Sequence, residues 1–512
     1  VVCRLGPDGQ VEDFSADTFS VRSRVHEYGG GAFTVSDGTL WFSNDADGRV
    51  YRQSAGTDPE PLTPEGWWRF ADLLWDGQQG CLIAVRENHE VEGEEPTNEL
   101  VSIADDGQVR VLAEGADFYA APKISPDGNR VAWLSWNHPN MPWDGTELLV
   151  GLLDKNGKIL KEKKIAGGCS ESIFQPEWSP SGFLHFVSER SGWWNLYIKG
   201  EKEITNLCPI NAEFGAAQWM FGVSRYTFLP NGKIACIYTK KGIDQLGILD
   251  PRNKEIHNLP FDFTYFGSLK ALNKELIFSA ASSEQLNSIW HYDLETQNLK
   301  LLQSSLHIDI DPAYLSIPEN IEFLTTNEQT AFGFYYSPKN KDFEIPDGEK
   351  PPLIVRSHVG PSTHVTSALD LEVQFWTSRG FAVLDVNYGG STGYGRKYRE
   401  RLKGNWGIVD VDDCVNGALY LVKNKKADSK RLIIKGRSAG GFTTLAALTF
   451  KKVFACGASY YGISDLEAMT NHTHKFESYY LEGLVGAYPE KKNRYIKHSP
   501  IHHMKNFSFP II

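Results

Sequence analysis

The sequence lacks closely spaced cysteines. Its seven cysteines are scattered over 512 residues, odd in number, and no two of them have the CxxC spacing of a zinc or redox site. This pattern argues against a disulfide framework and favours free, buried thiols in a reducing compartment. We therefore expect a cytoplasmic protein that binds no metal and needs no other cofactor.

Long apolar segments and basic clusters are also missing. No apolar run is long enough to span a bilayer, and the net charge of −12 is distributed without a basic stripe. These absences argue against a membrane or a nucleic acid as the partner. No signal peptide is evident either, but the chain starts at Val1 within strand-like sequence, so we expect the natural amino terminus to precede Val1.

The first part of the chain repeats a pattern of strand, turn and strand. Turn dipeptides such as Asp37-Gly38, Asp127-Gly128 and Asn231-Gly232 introduce apolar or aromatic runs, roughly 40–55 residues apart, which is the repeat length of a four-stranded propeller blade. Six such blades follow a hairpin at residues 2–14 that resembles the end of an earlier blade. The pattern predicts a seven-bladed β-propeller with an incomplete first blade over residues 1–315. Two β-sandwiches or a β-helix are the alternatives.

Three stretches of this region have more than one interpretation. Residues 26–31 (HEYGGG) either line a pocket or, as we favour, make a tight crossing between blades. Residues 136–145 (WNHPNMPWDG) form a long aromatic loop that either carries recognition or packs on its own blade. Residues 87–95 (ENHEVEGEE) are acidic, and we expect them to form a solvated surface.

From residue 316 strands alternate with helices, which predicts a parallel, doubly wound α/β-hydrolase domain over residues 316–512. With 512 residues the chain exceeds what one core usually serves, so two domains are expected. The last residues, 509–512, look like the start of another buried strand, and we expect the domain to continue after them. The predicted strands cover residues 321–325, 331–336, 352–356, 381–386, 432–435 and 454–459, with helices over 410–422 and from about 442.

The sequence Gly436-Arg437-Ser438-Ala439-Gly440 separates a predicted strand from a predicted helix. It matches G-x-S-x-G, the sharp turn that presents a serine nucleophile in α/β-hydrolases. Acyl transfer to Ser438 needs two donors for the oxyanion. The Ala439 N–H is the first candidate, and the turn HVGP after strand 352–356 supplies the second. We predict the Gly360 N–H for this role, with Val359 next.

Such a serine also needs a histidine base and an orienting acid. In this fold the chain order is serine, acid, histidine, which Asp465 and a later histidine satisfy: His472, His474, His498, His502 or His503. We favour a simpler interpretation, in which Asp465 caps a helix and the histidines are solvated. No carboxylate or cysteine cluster accompanies the histidine pairs, so we predict no metal site.

Several motifs together resemble the prolyl oligopeptidase family of serine peptidases. They are HEYGGG, WNHPNMPWDGTEL, HVGPST, NYGGSTGYGR, DVDDCVNGALYLV, GRSAGGFTTLAAL and HKFESYYLEGLVGAYPE. The resemblance is to the branch of acylaminoacyl peptidases and dipeptidyl-peptidase-like enzymes. It implies a propeller capping a hydrolase domain, an active site in the cavity between them, and short peptides as substrates.

The resemblance also assigns site residues. Ser438 matches the nucleophile, Ala439 the first oxyanion donor and Gly360 the second, although the family usually has HGGP where this chain has HVGP. The family pattern places its catalytic Asp and His after Ile512, so we expect this chain to lack them and to have little activity by itself. The alternatives are a non-catalytic binding protein and an esterase of the same fold. A homo-oligomer is one alternative for the assembly state.

Overall fold

The structure, a computed structural model, describes residues 1–6, 8–306, 308, 310–507 and 509–512. By its internal contacts the chain divides into two units. The first comprises Val1–Pro209, Ala217–Ser224 and His474–Tyr480, and the second comprises Ile210–Ala216, Arg225–Thr473 and Leu481–Ile512. The domain boundary after residue 315 stays a prediction.

The first unit consists of antiparallel sheets whose strands follow one another in sequence. A two-stranded sheet contains β1 (Cys3–Leu5) and β2 (Val11–Asp13), and four four-stranded sheets follow. They contain β3 (Phe33–Ser36), β4 (Thr39–Ser43), β5 (Val50–Ser54) and β6 (Glu60–Pro61); β7 (Trp68–Asp76), β8 (Cys81–Asn88), β9 (Thr97–Ala104) and β10 (Val109–Ala113); β11 (Phe118–Ile124), β12 (Arg130–Trp136), β13 (Glu147–Leu153) and β14 (Ile159–Gly167); β15 (Ile173–Trp178), β16 (Leu184–Ser188), β17 (Asn195–Lys199) and β18 (Ile204–Asn206).

The second unit contains two more sheets of this kind and one mixed sheet of six strands, in the order β27-β28-β30-β29-β31-β32. The four-stranded sheets contain β19 (Tyr226–Phe228), β20 (Ile234–Lys240), β21 (Ile243–Asp250) and β22 (Glu255–Asn258); β23 (Tyr265–Leu272), β24 (Glu275–Ala281), β25 (Ser288–Asp293) and β26 (Asn298–Ser304). The mixed sheet contains β27 (Glu319–Leu324), β28 (Thr330–Tyr336), β29 (Leu353–Ser357), β30 (Ala382–Asn387), β31 (Leu432–Arg437) and β32 (Cys456–Tyr460).

The predicted turn dipeptides lie at the tips of these hairpins. Asp37 and Gly38 separate β3 from β4 with φ of 47° and 77°, the left-handed pair that a two-residue hairpin turn requires. Glycine and aspartate tolerate this region better than other residues do. The turn chemistry therefore explains why the blade hairpins could be predicted from the sequence.

The predicted number of blades is wrong. The described residues contain six four-stranded blades, not seven. The hairpin predicted at residues 2–14 exists as β1 and β2, apart from residue 7, which lies outside the described residues. All six residues of β1 and β2 are exposed, so this short sheet has no buried face with which to build a blade core.

The mixed sheet is buried at its centre because helices cover it. Strands β29, β30 and β31 are largely buried, begin with apolar residues and pair in parallel, as expected of strands covered on both faces. The helices are α1 (Leu371–Thr377), α2 (Arg396–Arg399), α3 (Val409–Lys423), α4 (Ala439–Phe450), α5 (Leu466–Thr470), α6 (Tyr480–Leu484) and α7 (Lys492–His498). Short 3-10 helices cover Pro312–Tyr314, Thr326–Glu328, Glu400–Leu402, Lys475–Glu477 and Pro500–Asn506.

Three sequence-based expectations need correction here. Helix α4 begins at Ala439, directly after the turn, and not near residue 442. Residues 510–512 do pair in parallel with β32, through hydrogen bonds to Gly457 and Ser459, but they are exposed and not buried as predicted. Every cysteine lies in the described part of the chain as a free thiol, yet Cys3 and Cys169 are exposed. Within the described residues, no helix is both long and apolar enough to cross a bilayer.

Candidate active site

Ser438 lies on the turn between β31 and α4. Its φ and ψ are 51° and −120°, a conformation that residues other than glycine rarely adopt. Two backbone hydrogen bonds hold the turn: Ser438 N–H donates to the Tyr460 carbonyl at 3.0 Å, and Phe442 N–H donates to the Ser438 carbonyl at 3.0 Å. Such strain persists only where the surroundings over-determine it, and it is concentrated at functional sites.

The glycines of the motif permit a close approach of strand and helix. A Cβ at Gly436 would lie 2.2 Å from the Gly440 carbonyl oxygen. A Cβ at Gly440 would lie 2.1 Å from the Ser357 carbonyl oxygen, at the end of β29. Both distances are far shorter than any real contact of this kind, so a side chain at either position would clash with backbone atoms.

The structure places the turn that contains Gly360 beside the turn that contains Ser438. Strands β29 and β31 are parallel neighbours, with Ser357 opposite Gly436. Gly360 has a φ of +86°, which glycine adopts without strain. Within the described residues, the N–H groups of Val359, Gly360 and Ala439 donate to no hydrogen-bond acceptor. The two predicted oxyanion donors are thus available for a ligand.

His358 fixes this turn from within, a contact that the sequence motifs did not indicate. The imidazole stacks on Tyr388 at 4.1 Å, its Nδ1 lies 2.9 Å from the Val359 carbonyl oxygen, and its Nε2 lies 2.8 Å from Ser391 Oγ. Tyr388 and Ser391 belong to the motif NYGGSTGYGR after β30. The only signal in the sequence was that two polar loops follow neighbouring strands.

Charged side chains form a row on β29, β30 and β31. Arg356 pairs with Asp385 at 3.0 Å and with Asp370 at 2.7 Å. Lys435 of β31 contacts Glu372. Burial raises the pKa of Asp385 to about 6. The row places a buried ion-pair network three residues before Ser438, where it ties α1 to the sheet.

Two aspartates near the start of α3 are buried partners of other elements. Asp410 accepts hydrogen bonds from Thr443 Oγ1 at 2.5 Å and Gly407 N at 2.7 Å. Asp413 accepts from Thr325 Oγ1 and from the Gly389 N–H. Burial raises the pKa of Asp410 to about 6. Because Thr443 lies on α4, Asp410 connects α3 to the helix that follows Ser438.

The internal alternative for the acid and base is not supported by the contacts. Asp465 caps α5 by accepting from Glu467 N and Ala468 N, as we favoured. Among the described side chains, none donates to or accepts from the Ser438 hydroxyl. His472 and His502 are exposed as expected, but His474, His498 and His503 are partly buried, so the prediction of solvated histidines holds only for the first two.

The glycine-rich stretch 26–31 makes a close backbone crossing. A Cβ at Gly29 would lie 1.9 Å from the Ser23 carbonyl oxygen, and one at Gly30 would lie 2.4 Å from the Phe221 carbonyl oxygen. His26 is buried beside these glycines, and burial lowers its pKa to about 4. The close approach of the backbone at Gly29 and Gly30 therefore explains why glycines occupy these positions, in agreement with the predicted tight crossing.

The acidic run 87–95 is not solvated throughout. Glu87 is 3% exposed, pairs with Arg69 and His89, and accepts the His26 N–H at 2.9 Å. Its role is to hold the 26–31 crossing in place. The loop at residues 136–145 packs mainly inward, since Trp136, Met141 and Trp143 are buried.

Residues 474–480 belong to the first unit, although their neighbours in sequence belong to the second. Phe476 is 3% exposed and contacts the rings of His26 at 5.4 Å and Phe118 at 5.7 Å. Lys475 Nζ donates to the carbonyls of Pro96 and Asp117. No local pattern in the sequence indicated this aromatic cluster. Across the residues that can be described, no group of three metal-ligating side chains occurs.

The chain is similar in sequence and in structure to known peptidases. Residues 367–511 match the sequence pattern of the prolyl oligopeptidase family. A solved puromycin hydrolase is similar with a TM-score of 0.93 and 35% identity, over 99% of this chain and 81% of that one. The structure of a puromycin-hydrolyzing peptidase from Mycobacterium tuberculosis is similar with a TM-score of 0.94 and 36% sequence identity, over 98% of this chain and 80% of that one.

A curated relative matches a shorter stretch. The dipeptidyl aminopeptidase BIII of Pseudoxanthomonas mexicana is 27% identical over 218 residues, which are 42% of this chain and 31% of that protein. The matched part thus spans less than a third of the curated relative. The similarity to the two solved structures, in contrast, extends over both units.

Proposed function

The chain belongs to the prolyl oligopeptidase family, and from this premise we propose that it is a serine peptidase that hydrolyses short peptides through an acyl-enzyme on Ser438. The observation that carries the proposal is the conformation of Ser438. A non-glycine residue at φ 51° between a parallel strand and a helix is costly. It lies beside the Gly360 and Ala439 N–H groups, which have no acceptor in the part of the chain that the structure describes. A protein that only binds peptides does not need this strained turn.

The chemistry follows from these positions. Among the described residues no histidine contacts the Ser438 hydroxyl, so these positions supply the nucleophile and the oxyanion donors but not the base. In acyl transfer of this kind a histidine base takes the serine proton while Oγ bonds to the carbonyl carbon of the substrate. The carbonyl oxygen becomes an oxyanion, and we assign the Ala439 and Gly360 N–H groups as its two donors. The amine then leaves with a proton from the base, and water releases the acyl group from Ser438. The start of α4 also favours negative charge at this point.

We propose an aminopeptidase, acylaminoacyl-peptidase or dipeptidyl-peptidase type of specificity. The relatives named above support this substrate class, since one is named a dipeptidyl aminopeptidase and two are named for the hydrolysis of puromycin. The substrates to compare are therefore free aminoacyl amides, N-acylated aminoacyl amides, dipeptidyl amides and puromycin. We further propose a cytoplasmic location, because every cysteine is a free thiol.

The test uses an organophosphonate and the protein expressed from its complete gene. Mass spectrometry should find the label on Ser438 alone, and Ser438→Ala should lose both labelling and turnover. The melting temperature should hardly change, because the half-buried Ser438 hydroxyl has no hydrogen-bond partner among the described residues. Labelling at another serine, or an active Ser438→Ala protein, would contradict the proposal.

Two alternatives are outcomes of the same test. A non-catalytic binding protein would retain substrate affinity without label or turnover. An esterase would be labelled at Ser438, but it would cleave aminoacyl esters while leaving the matching amides intact. The substrate panel therefore separates both from the proposed peptidase.

A further inference from the structure

The peptide between Val359 and Gly360 is held from one side. The Val359 carbonyl oxygen lies 2.9 Å from His358 Nδ1, while the Gly360 N–H of the same peptide has no acceptor within the described residues. In a trans peptide the C=O and N–H point in opposite directions. Whatever fixes the carbonyl therefore fixes the direction in which the Gly360 N–H points.

The hydrogen bonds of His358 select one tautomer. Its Nδ1 lies 2.9 Å from the Val359 carbonyl oxygen, which can only accept, and 3.2 Å from the Tyr388 hydroxyl. Because the two rings stack with an interplanar angle of 12°, the hydroxyl lies over the face of the imidazole and out of line with the in-plane lone pair of Nδ1. The Val359 carbonyl is therefore the in-plane partner, and we assign the proton to Nδ1. In the neutral ring Nε2 is then an acceptor, and Ser391 Oγ, at 2.8 Å, must donate to it. Tyr388 OH, 3.2 Å from the His358 carbonyl oxygen, completes the contacts by donating there. The other tautomer would bring the lone pairs of Nδ1 and the Val359 carbonyl oxygen together.

The surroundings keep this ring neutral and in place. His358 is 7% exposed, Ser391 is fully buried, and burial lowers the pKa of His358 to about 4. The neutral ring therefore persists at neutral pH, where the choice between its two tautomers depends on hydrogen bonds. Ser391 is itself fixed by its N–H, which donates to the Tyr388 carbonyl at 2.9 Å.

We propose that Ser391 is a positioning residue for the oxyanion site: its hydroxyl holds His358 as the Nδ1–H tautomer, which orients the Val359–Gly360 peptide and aims the Gly360 N–H at the oxyanion. The inference rests on the proposed function, because it assigns Gly360 as an oxyanion donor. It concerns a residue 47 positions before Ser438 on a different loop. Ser391 touches no reacting atom and acts through His358.

The tautomer can be measured without any activity. In protein labelled with ¹⁵N-histidine, nuclear magnetic resonance should show His358 protonated at Nδ1, with the assignment made from His358→Gln. Ser391→Ala should shift this ring toward the Nε2–H form, because Nε2 loses its donor. Thr392→Val is the matched control: it removes the adjacent buried hydroxyl, which contacts His364, and should leave the His358 signals unchanged. An Nε2–H form in the unmutated protein would overturn the proposal.

Kinetics test the consequence at the active site. Loss of one oxyanion donor typically lowers kcat about 100-fold or more, and Ser391→Ala misdirects a donor without deleting it. We therefore expect kcat to fall about tenfold or more, with KM changed less than about twofold because the donor acts mainly in the transition state. Ser391→Cys keeps a weaker donor in a similar volume, so its kcat should lie between those of Ser391→Ala and the unmutated protein. Thr392→Val should retain the original kcat.

The outcomes separate this inference from the proposed function. If Ser391→Ala lowers the melting temperature but leaves kcat and the tautomer unchanged, Ser391 is only structural and the inference fails. If Ser391→Ala does not fold, Ser391→Cys decides by the same two measurements. If Ser438 takes no phosphonate label, the proposed function fails, whereas the His358 tautomer still reports on the hydrogen-bond chain.

Discussion

Ser357 Oγ donates a hydrogen bond to the Gly440 carbonyl at 2.8 Å. Ser357 ends β29, just before the turn that contains Gly360, and Gly440 lies in the first turn of α4, just after Ser438. This contact therefore joins the two segments that carry the candidate nucleophile and the candidate oxyanion donors. Thr444 Oγ1 donates to the same carbonyl at 3.0 Å, but it lies on α4 itself.

Ser357→Ala and Thr444→Val should have similar effects on stability and different effects on catalysis. Each removes one of two side-chain donors to the Gly440 carbonyl, so each should lower the free energy of unfolding by about 1 kcal/mol in urea denaturation. Only Ser357→Ala should also lower kcat, because it releases β29 from α4. An equal loss of kcat in both variants would contradict this explanation.

Gly440→Ala should be far more damaging. Its Cβ would meet the Ser357 and His358 carbonyl oxygens at 2.1 and 2.8 Å, and backbone atoms cannot move aside as a flexible side chain can. We expect Gly440→Ala to lower the free energy of unfolding by about 3 kcal/mol or more, or to prevent folding. Gly483→Ala is the control: Gly483 is an exposed helical glycine with no atom within 4 Å of the added Cβ. The free energy of unfolding of Gly483→Ala should rise by up to about 1 kcal/mol. A comparable loss of stability in Gly440→Ala and Gly483→Ala would contradict the steric argument.

The fold could be predicted where local chemistry decides it. Turn dipeptides and alternating strands identify the blade hairpins, and long apolar strands separated by helices identify the parallel sheet. The seventh blade was wrong because a repeat pattern counts hairpins, whereas a blade also needs a buried face, which β1 and β2 lack. The start of α4 was misplaced because glycine has a low helix propensity, which tertiary contacts at Gly440 and Gly441 override.

The candidate site was predictable only in part. Ser438 and its glycines form a local motif of five residues, and the clash that excludes a side chain at Gly436 lies within it, whereas the clash at Gly440 involves Ser357 of another strand. The contact of His358 with Ser391 joins two loops 33 residues apart, and nothing in either loop alone indicates it. Phe476 packs on His26, 450 residues earlier in the chain. Contacts of this kind depend on strand order and packing, which hydrophobic periodicity does not encode.

Asp410 should make stability depend on pH. Burial raises its pKa to about 6 from 3.8, so the folded state binds its proton more tightly than the unfolded state. The resulting stabilisation is complete below about pH 4 and is lost as the pH rises to about 6. Asp410→Asn should remove this component, worth at most about 3 kcal/mol, from a series of urea denaturations across this range.

Thr443→Val tests the direction of that effect. The Thr443 hydroxyl donates to Asp410, which stabilises the charged form and lowers its pKa. Without this donor the pKa should rise, and the loss of stability should move to higher pH. The assignment to Asp410 would be wrong if Asp410→Asn reproduced the pH profile of the unmutated protein, since Asp385 titrates in the same range and is present in both.

Phe476→Ala should destabilise the first unit strongly. The ring is 3% exposed and packs against His26, Phe118 and Trp136, so its removal leaves a cavity. The expected cost is about 3–5 kcal/mol, measured by thermal or urea unfolding. Phe343→Ala is the control, because Phe343 is 77% exposed and should change stability by less than about 0.5 kcal/mol. Similar costs for the two variants would show that Phe476 is not packed as described.

Asp465 decides between a capping role and a catalytic one. Its carboxylate accepts from Glu467 N and Ala468 N at the start of α5, and asparagine caps helices about as well as aspartate. Asp465→Asn should therefore retain both the melting temperature and kcat, whereas Asp465→Ala should lose about 1 kcal/mol of stability with kcat again unchanged. A catalytic acid would behave in the opposite way. Asparagine cannot stabilise an imidazolium with a negative charge, so a large loss of kcat in Asp465→Asn at unchanged stability would assign Asp465 to the catalytic machinery.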